Sequence, residues 1–279
     1  MTEGESTAGE SRDAMKHSTE SKVMALITGA SSGIGLALAT EIAAHGHDVV
    51  LVSRRRDALE AVAGMVEGKY GVRAVVIPAD LRLPDAAQNL YDAVSEQRLD
   101  IGLLVNNAGF GLGGEFIETD MQLETDMIQV NVTALTQLTK LFGRAMVRRR
   151  NGRVMNVAST AAFQPGPLMA VYYASKAYVL SFSEALAEEL RETGVTVTAL
   201  CPGATATAFA ETAQITNTRL FSHLGVANAE LVARYGYKAM MRGDRVAIPR
   251  LRDRIMVQSE RIAPRSLVTR LARLAQESR

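Results

Sequence analysis

The chain has 279 residues, of which 47% are hydrophobic and 22% are charged, and its formal net charge is +1. These values are typical of a globular protein and leave no overall electrostatic reason to expect a nucleic-acid partner. No apolar run approaches the roughly 20 residues of a membrane-spanning helix, so we expect no membrane span.

Residues 1–21 are polar and mixed in charge, and they predict a disordered N-terminal tail rather than a secretory signal. We therefore expect a cytoplasmic protein. The single cysteine, Cys201, excludes an internal disulfide and a multi-cysteine metal site, and the scattered histidines give no metal-binding motif. We expect no metal and interpret Cys201 as a small buried hydrophobe.

Short apolar runs alternate with helical patterns from residue 22 to residue 249. The runs predict strands at Val23–Thr28, Val49–Ser53, Ala74–Pro78, Ile101–Asn106, Val154–Ser159, Val195–Leu200 and Val246–Ile248. Near-continuous apolar runs fit strands that are covered on both faces, as in a parallel sheet. The alternation predicts a single α/β domain, with a doubly wound, mainly parallel seven-stranded sheet flanked by helices.

The first predicted strand runs into a turn that contains Gly29, Gly33 and Gly35 and then into a helical pattern. Such a turn presents backbone N–H groups and a positive helix end to a phosphate, and its glycines allow close approach of a ligand. The letters also fit G-x-S-x-G, in which Ser31 would be the nucleophile of a hydrolase. The turn by itself leaves a dinucleotide site, a hydrolase and a plain structural turn open.

The second predicted strand ends at Ser53 and is followed by Arg54, Arg55 and Arg56. Folds that prefer NAD usually have an acid here, about twenty residues after the glycine turn. Guanidinium groups instead suit a 2′-phosphate, so the run predicts a preference for NADP, with Arg54 best placed. The alternative is a solvated basic run. After the third strand, Asp80 and Leu81 could contact an adenine edge.

Small and amide residues follow the fourth strand, where Asn107, Ala108 and Gly109 would allow a ligand to approach closely. A long helical pattern then extends from about residue 121 to residue 150. It contains Asn131 among apolar residues. A buried amide needs partners, so Asn131 is satisfied either by backbone or by a polar relay.

The fifth predicted strand ends at Ser159, and a helical pattern that includes Tyr172 and Lys176 begins thirteen residues later. Residues four apart share a helix face. A phenol with a pKa near ~10 is a poor catalyst at neutral pH, but a nearby ammonium group lowers that pKa. Ser159 could donate a hydrogen bond to a substrate oxygen. The alternative is a solvated surface pair; we interpret Tyr173 as a packing residue.

The segment after the sixth strand, about 204–225, is irregular and contains Phe209, and we interpret it as a lid over the substrate. Its apolar residues either indicate an apolar substrate or pack on the core. A C-terminal helical extension follows at residues 250–279. Its Leu267, Leu271, Leu274 and Ala275 fall on one face of a predicted helix that begins at Pro264 and is flanked by arginines. This helix could pack on the body or on another subunit, or it could lie on a membrane surface.

Together these segments resemble the short-chain dehydrogenase/reductase family over residues 22–249. The resemblance rests on the order and spacing of residues 28–35, 106–109, Asn131, Ser159, Tyr172-x-x-x-Lys176 and Pro202-Gly203. It implies a Rossmann fold and a nicotinamide-dependent oxidoreductase. Tyr172 would be the general acid/base, Ser159 would polarise the substrate, and Asn131 would anchor a proton relay. Lys176 would hold the nicotinamide ribose and lower the pKa of Tyr172.

The resemblance also implies NADP(H) rather than NAD(H), because an arginine at the place of Arg54 goes with the phosphorylated cofactor. The expected cofactor-binding residues are Gly29, Ser31, Ser32, Gly33, Ile34, Gly35, Arg54, Asp80, Leu81, Asn107, Ala108, Gly109, Tyr172, Lys176, Pro202, Gly203 and Thr205. We expect a small to medium, apolar carbonyl or secondary-alcohol substrate and a homodimer or homotetramer. A redox sensor without turnover is the alternative; the hydrolase lacks a placed histidine and acid for Ser31.

Overall fold

A computed structural model describes residues 23–207, 209, 213, 226–260 and 262–277. Its strands are β1 (Met24–Thr28), β2 (Val49–Ser53), β3 (Ala74–Pro78), β4 (Ile101–Asn106), β5 (Gly152–Val157), β6 (Val195–Leu200) and β7 (Val246–Ala247). The α-helices are α1 (Gly33–Ala44), α2 (Arg56–Tyr70), α3 (Ala86–Glu96), α4 (Met121–Ile128), α5 (Leu135–Arg149), α6 (Ala170–Glu189), α7 (Ala229–Arg242), α8 (Leu251–Glu260) and α9 (Arg265–Gln276).

The strands of this region form one parallel sheet in the order β3-β2-β1-β4-β5-β6-β7. This arrangement confirms the predicted doubly wound α/β fold. Strand β1 pairs with β2 on one side and with β4 on the other, so the strand order reverses between β1 and β4. Ligands of open α/β sheets bind at the carboxyl ends of the strands beside such a reversal.

The core lies on both faces of the sheet, as the apolar runs of the sequence predict. All five residues of β1 are buried. Ala25 and Ile27 pack into a cluster with α1, α2 and α7, whereas Met24 and Leu26 pack on the other face against α3 and α5. A fully buried leucine or isoleucine contributes about 1.5–3 kcal/mol. The central strands therefore form a rigid base for the loops at their carboxyl ends.

The largest differences between predicted and observed elements are at β5 and in the long helix after β4. Strand β5 is two residues earlier than expected, because Gly152 already pairs with Val195 and Ser159 leaves the sheet to cap a 3₁₀ turn at Thr160–Phe163. The long helix after β4 is interrupted by a wide π-type turn at Gln129–Ala134, which separates α4 from α5. Such turns occur frequently at functional sites. The predicted N-terminal tail, and most of the predicted lid, lie outside the described residues.

The C-terminal extension folds back onto the sheet domain. Arg250 donates to both oxygens of buried Asp253, at 2.8 Å and 3.0 Å, and the Asp253 carboxylate lies against Gly203. In α9 the buried residues are Val268, Ala272 and Gln276.

The three leucines of the predicted apolar face, Leu267, Leu271 and Leu274, are about half exposed, because α9 packs through the neighbouring stripe of Val268, Ala272 and Gln276. Within the described residues, we find no helix with the length and hydrophobicity needed to cross a membrane.

Candidate active site

The glycine turn after β1 has a backbone that other residues would not tolerate. Gly29 and Gly33 have φ values of +67° and +56°, in the left-handed region that favours glycine. A Cβ on Gly35 would lie 2.1 Å from the Gly29 carbonyl oxygen. Ser32 caps α1 without a side-chain bond to the helix, and the first turn of α1 has no acidic residue. The turn therefore leaves hydroxyl and N–H donors for an anion.

Thr28 and Asn107 join the two strands on either side of the strand-order reversal. The Thr28 hydroxyl accepts from the backbone N–H groups of Asn107 and Ala108, both at 3.0 Å. The Asn107 amide in turn donates to the Thr28 carbonyl at 2.9 Å. These bonds hold the loop after β4 against the glycine turn, so the role of Thr28 is to position its neighbours.

Asn131 is buried within the π-type turn, and backbone groups and a hydroxyl satisfy its amide. Its Nδ2 donates to the Phe110 carbonyl at 3.0 Å and to the Ser175 hydroxyl at 3.1 Å, while its Oδ1 accepts from the Phe110 N–H at 3.1 Å. A Cβ on Gly109 would lie 2.8 Å from Asn131 Oδ1 and 3.4 Å from Lys176 Nζ. Gly109 thus separates Asn131 from Lys176.

Ser159, Tyr172 and Lys176 come together at the carboxyl ends of β5 and β6. The Ser159 hydroxyl accepts from the Ala161 N–H at 3.1 Å and lies beside the Pro202 carbonyl. Tyr172 and Lys176 lie on the buried face of α6, and Lys176 Nζ is 5.8 Å from the centre of the Tyr172 ring. Nζ donates to the Val157 carbonyl at 2.8 Å. The pair is therefore not a solvated surface pair.

Burial dominates the protonation of these side chains. It raises the pKa of Tyr172 above the ordinary value, while the Ser159 hydroxyl acts in the opposite direction. Burial also lowers the pKa of Lys176 to about 8. In the net pKa of Tyr172, removal of the phenolate from water therefore outweighs the lowering expected from Lys176, an ammonium group that is itself desolvated. The effect of Lys176 stays a prediction. Tyr172 stays a protonated phenol at neutral pH.

Arg54 lies directly after β2, and Asp80 follows β3 on the neighbouring strand end. Asp80 pairs with Arg82 at 2.5 Å, and this hydrogen bond is the main reason why the pKa of the Asp80 carboxyl is lowered. Arg54 adds a smaller effect in the same direction. Arg54 is exposed and lies at the rim of the same cavity as Asp80.

One cavity of about 810 Å³ connects the glycine turn with Ser159, Tyr172 and Lys176. Apart from Asn131, which lies behind it, every predicted site residue lines this cavity: Gly29, Ser31, Ser32, Gly33, Ile34, Gly35, Arg54, Asp80, Leu81, Asn107, Ala108, Gly109, Ser159, Tyr172, Lys176, Pro202, Gly203 and Thr205. Phe209 of the predicted lid also lines it, with its ring centre 5.2 Å from that of Tyr172.

Some lining residues were not predicted. Tyr173 is buried, as a packing residue would be, but it also lines the cavity together with Met256, Glu260 and Gln276 of the C-terminal extension. Their spacing along the chain follows no motif, so the sequence pattern contained no signal for them. Cys201 is buried between β6 and its neighbours, as predicted, and burial raises its pKa to about 12.

Comparison with known proteins agrees with this geometry. Residues 23–218 match the family profile described as short chain dehydrogenase. The 17-beta-hydroxysteroid dehydrogenase type 3 of Mus musculus is 38% identical over 183 residues, covering 64% of this chain and 58% of that protein. The very-long-chain 3-oxoacyl-CoA reductase of Anas platyrhynchos is 37% identical over 184 residues, with the same two coverages. This chain thus matches less than two thirds of the length of either relative.

A solved structure gives the same result over more of the chain. The short-chain dehydrogenase from Sphingobium yanoikuyae in complex with NADPH superposes with a TM-score of 0.78 at 32% identity, covering 88% of this chain and 94% of that one. The family profile matches residues 23–218, which include six of the seven strands, and the solved structure matches the same fold. The chain belongs to the short-chain dehydrogenase/reductase family of nicotinamide-dependent oxidoreductases.

Proposed function

We propose that this protein is an NADP(H)-dependent oxidoreductase that interconverts a carbonyl group and a secondary alcohol on an apolar substrate. One observation carries the proposal: a buried, protonated Tyr172 lies with Ser159 and Lys176 in the same cavity as the glycine turn and Arg54. A phosphate-binding turn and a proton donor in one cavity are what a cofactor-dependent carbonyl reduction needs.

In this mechanism the chain supplies the proton and the donors that stabilise charge. Tyr172 protonates the carbonyl oxygen of the substrate, and Ser159 donates a hydrogen bond to the same oxygen as negative charge develops on it. The high pKa of Tyr172 favours the protonated state that reduction requires. Oxidation of an alcohol follows the same path in reverse. The nicotinamide, when bound, supplies or accepts the hydride.

The residues present fit such a cofactor. At Gly35 a Cβ would collide with the Gly29 carbonyl and the Asn107 amide, so this glycine lets the first turn of α1 pack directly against the strand ends. The free donors of the glycine turn suit the pyrophosphate, Lys176 suits the nicotinamide ribose, and Arg54 suits a 2′-phosphate. No carboxylate follows β2 directly, so nothing at this place favours the unphosphorylated ribose.

An apolar substrate is supported by the lining of the cavity beside Tyr172. Leu112, Met169 and Phe209 belong to the apolar cluster that contains Tyr172. The names of the relatives point the same way, since steroids and very-long-chain acyl groups are both largely apolar.

The test is a panel of ketones, aldehydes and secondary alcohols of rising size, followed by NADPH absorbance and repeated with NADH. We expect reduction of apolar ketones with NADPH at a higher kcat/KM than with NADH. Binding of NADPH without turnover of any panel member would instead favour a redox sensor.

A further inference from the structure

The C-terminal extension forms one part of the cavity wall, and that part is mostly apolar. It consists of side chains from α8, α9 and the loop between them: Met256, Ser259, Glu260, Ala263, Val268, Leu271, Ala272, Ala275 and Gln276. Two of these, Glu260 and Gln276, have polar atoms without a hydrogen-bond partner in the part of the chain that the structure describes.

Gln276 is buried at the end of α9, with only 4% of its surface exposed. Its Nε2 donates to the Tyr173 hydroxyl at 2.7 Å, whereas its Oε1 is buried and finds no hydrogen-bond partner among residues 23–207, 209, 213, 226–260 and 262–277. The Tyr173 ring centre is 6.0 Å from that of Tyr172. Gln276 is thus hydrogen-bonded directly to Tyr173, whose ring lies next to that of the proton donor Tyr172.

Glu260 ends α8 and faces the same region. Its Oε2 is buried and has no partner among the described residues. Burial is the main reason why the pKa of Tyr173 is raised, and the charge of Glu260 adds to it, so the two side chains interact. Ser259, the preceding residue, cannot satisfy this acceptor because its hydroxyl donates to the Met256 carbonyl at 2.7 Å.

Two buried acceptors without donors in one cavity are unfavourable for the protein alone. Each costs about 1–3 kcal/mol when it is left unpaired. If the amide oxygen and nitrogen of Gln276 were exchanged, Tyr173 would donate to Oε1 and an N–H would be left unpaired instead. A hydroxyl group has one hydrogen to donate and an oxygen that accepts. With the amide exchanged, it accepts from Gln276 Nε2 and donates to Glu260 Oε2. With the amide in the orientation described, it donates to Gln276 Oε1 and accepts from the Glu260 carboxyl in its protonated form, which the raised pKa of about 7 favours.

We propose that Gln276 and Glu260 bind a hydroxyl group that the substrate carries at a distance from its reacting carbonyl, so that the preferred substrate is an elongated, mainly apolar hydroxyketone. That the bound molecule is a substrate rests on the proposed function. Binding of a hydroxyl group by Gln276 and Glu260 does not depend on it. The carbonyl lies at Ser159 and Tyr172, the apolar part contacts α8 and α9, and the hydroxyl lies between Gln276 and Glu260.

The probes are methyl ketones of rising chain length that end in a hydroxyl group. Each is paired with an alkyl-terminated methyl ketone with the same number of heavy atoms. At one chain length we expect kcat/KM with NADPH to favour the hydroxyl-terminated ketone by about tenfold, mainly through KM, as for one buried hydrogen bond. In Gln276→Met and in Glu260→Met this ratio falls toward one. Arg270→Ala, an exposed position on α9, is the matched control and keeps the wild-type ratio.

Calorimetric binding of the same pairs in the presence of NADP⁺ separates the two proposals. A tenfold preference for the hydroxyl that depends on Gln276 or Glu260, without turnover of any ketone, supports this site and overturns the proposed function. If neither turnover nor binding favours the hydroxyl-terminated ketone over its alkyl-terminated partner at any chain length, the proposed hydroxyl site is overturned. If Gln276→Met does not fold, as judged by its thermal unfolding, Glu260→Met decides, since Glu260 Oε2 has no hydrogen bond to any described residue that the substitution would break.

Discussion

The cofactor side and the substrate side of the cavity are built in different ways. The cofactor side uses backbone geometry and short side chains that belong to short sequence motifs at successive strand ends, such as the turn from Gly29 to Gly35. The C-terminal part of the substrate side depends on long side chains brought together from far apart, such as Tyr173 and Gln276, which are 103 residues apart. The geometry of the cofactor side is thus set by short sequence motifs, whereas the C-terminal part of the substrate side is set by tertiary packing. We therefore expect substitutions in the two regions to affect different properties.

The largest effect is expected for Tyr172→Phe, which removes the proton donor and keeps the ring. We expect kcat to fall by about a thousandfold, with NADPH affinity unchanged, because general acid catalysis contributes about 10²–10⁴-fold. Steady-state kinetics and NADPH fluorescence titration measure both. Tyr178→Phe, on the exposed side of the same helix, is the control and should keep wild-type kinetics. Near wild-type turnover in Tyr172→Phe would contradict the assignment.

The next largest effect is expected for Gly35→Ala. The added Cβ would lie 2.1 Å from the Gly29 carbonyl, so the turn must move. We expect a loss of about 1–3 kcal/mol in unfolding free energy and weaker NADPH binding. Gly64→Ala is the matched control, because Gly64 lies within α2 with no atom near its Cβ position. It should gain about 0.5–1 kcal/mol. Urea unfolding of both variants measures the change in unfolding free energy. An equal change in the two variants would contradict the steric conflict expected at Gly35.

A smaller, cofactor-selective effect is expected for Arg54→Ala. Loss of a guanidinium–phosphate interaction should lower kcat/KM for NADPH by about 10–100-fold, because a hydrogen bond to a charged group contributes about 1.5–3 kcal/mol. The value for NADH should change little. Arg56→Ala, whose side chain pairs with Glu60 on the exposed face of α2, is the control. A parallel loss with both cofactors would show that Arg54 does not contact the 2′-phosphate.

The smallest effect concerns Glu260 and the pH dependence of stability. Burial raises the pKa of Glu260 from 4.5 to about 7, so between these values the folded protein holds a proton that the unfolded chain releases. This group therefore lowers the unfolding free energy as the pH rises from 4.5 to 7. Glu260→Gln lacks this loss, so its stability relative to wild type should be higher at about pH 8 than at about pH 5. Urea unfolding midpoints of both proteins at the two pH values measure this difference. An unchanged difference between the two proteins would contradict the raised pKa.

Much of the fold could be predicted because the strands of a doubly wound sheet are short, continuous apolar runs. Four of the seven strand ranges agree with the structure at both ends for this reason, as at Val49–Ser53 and Ile101–Asn106. The end of β5 was misplaced, because Ser159 is hydrogen-bonded in a turn that depends on β6 and its loop. The break between α4 and α5 has no signal in the apolar pattern.

Part of the candidate site could likewise be predicted from the sequence, and part could not. The glycine turn, Arg54 and the Tyr172–Lys176 spacing are short-range features, since they depend on turn geometry, on charge type and on the helical repeat. The net pKa of Tyr172 did not follow from the Tyr172–Lys176 spacing. Spacing shows that an ammonium group is near, but it does not show how completely both groups are removed from water.

The sequence by itself determined the strand–helix alternation, the phosphate-binding turn and the residues that meet at the strand ends, because these follow from patterns within a few residues of one another. Only the tertiary structure decided which face of α9 is buried, where Glu260 and Gln276 leave acceptors unpaired, and how burial changes the pKa of Tyr172. Desolvation and packing are sums over atoms from distant parts of the chain, and no local pattern contains them.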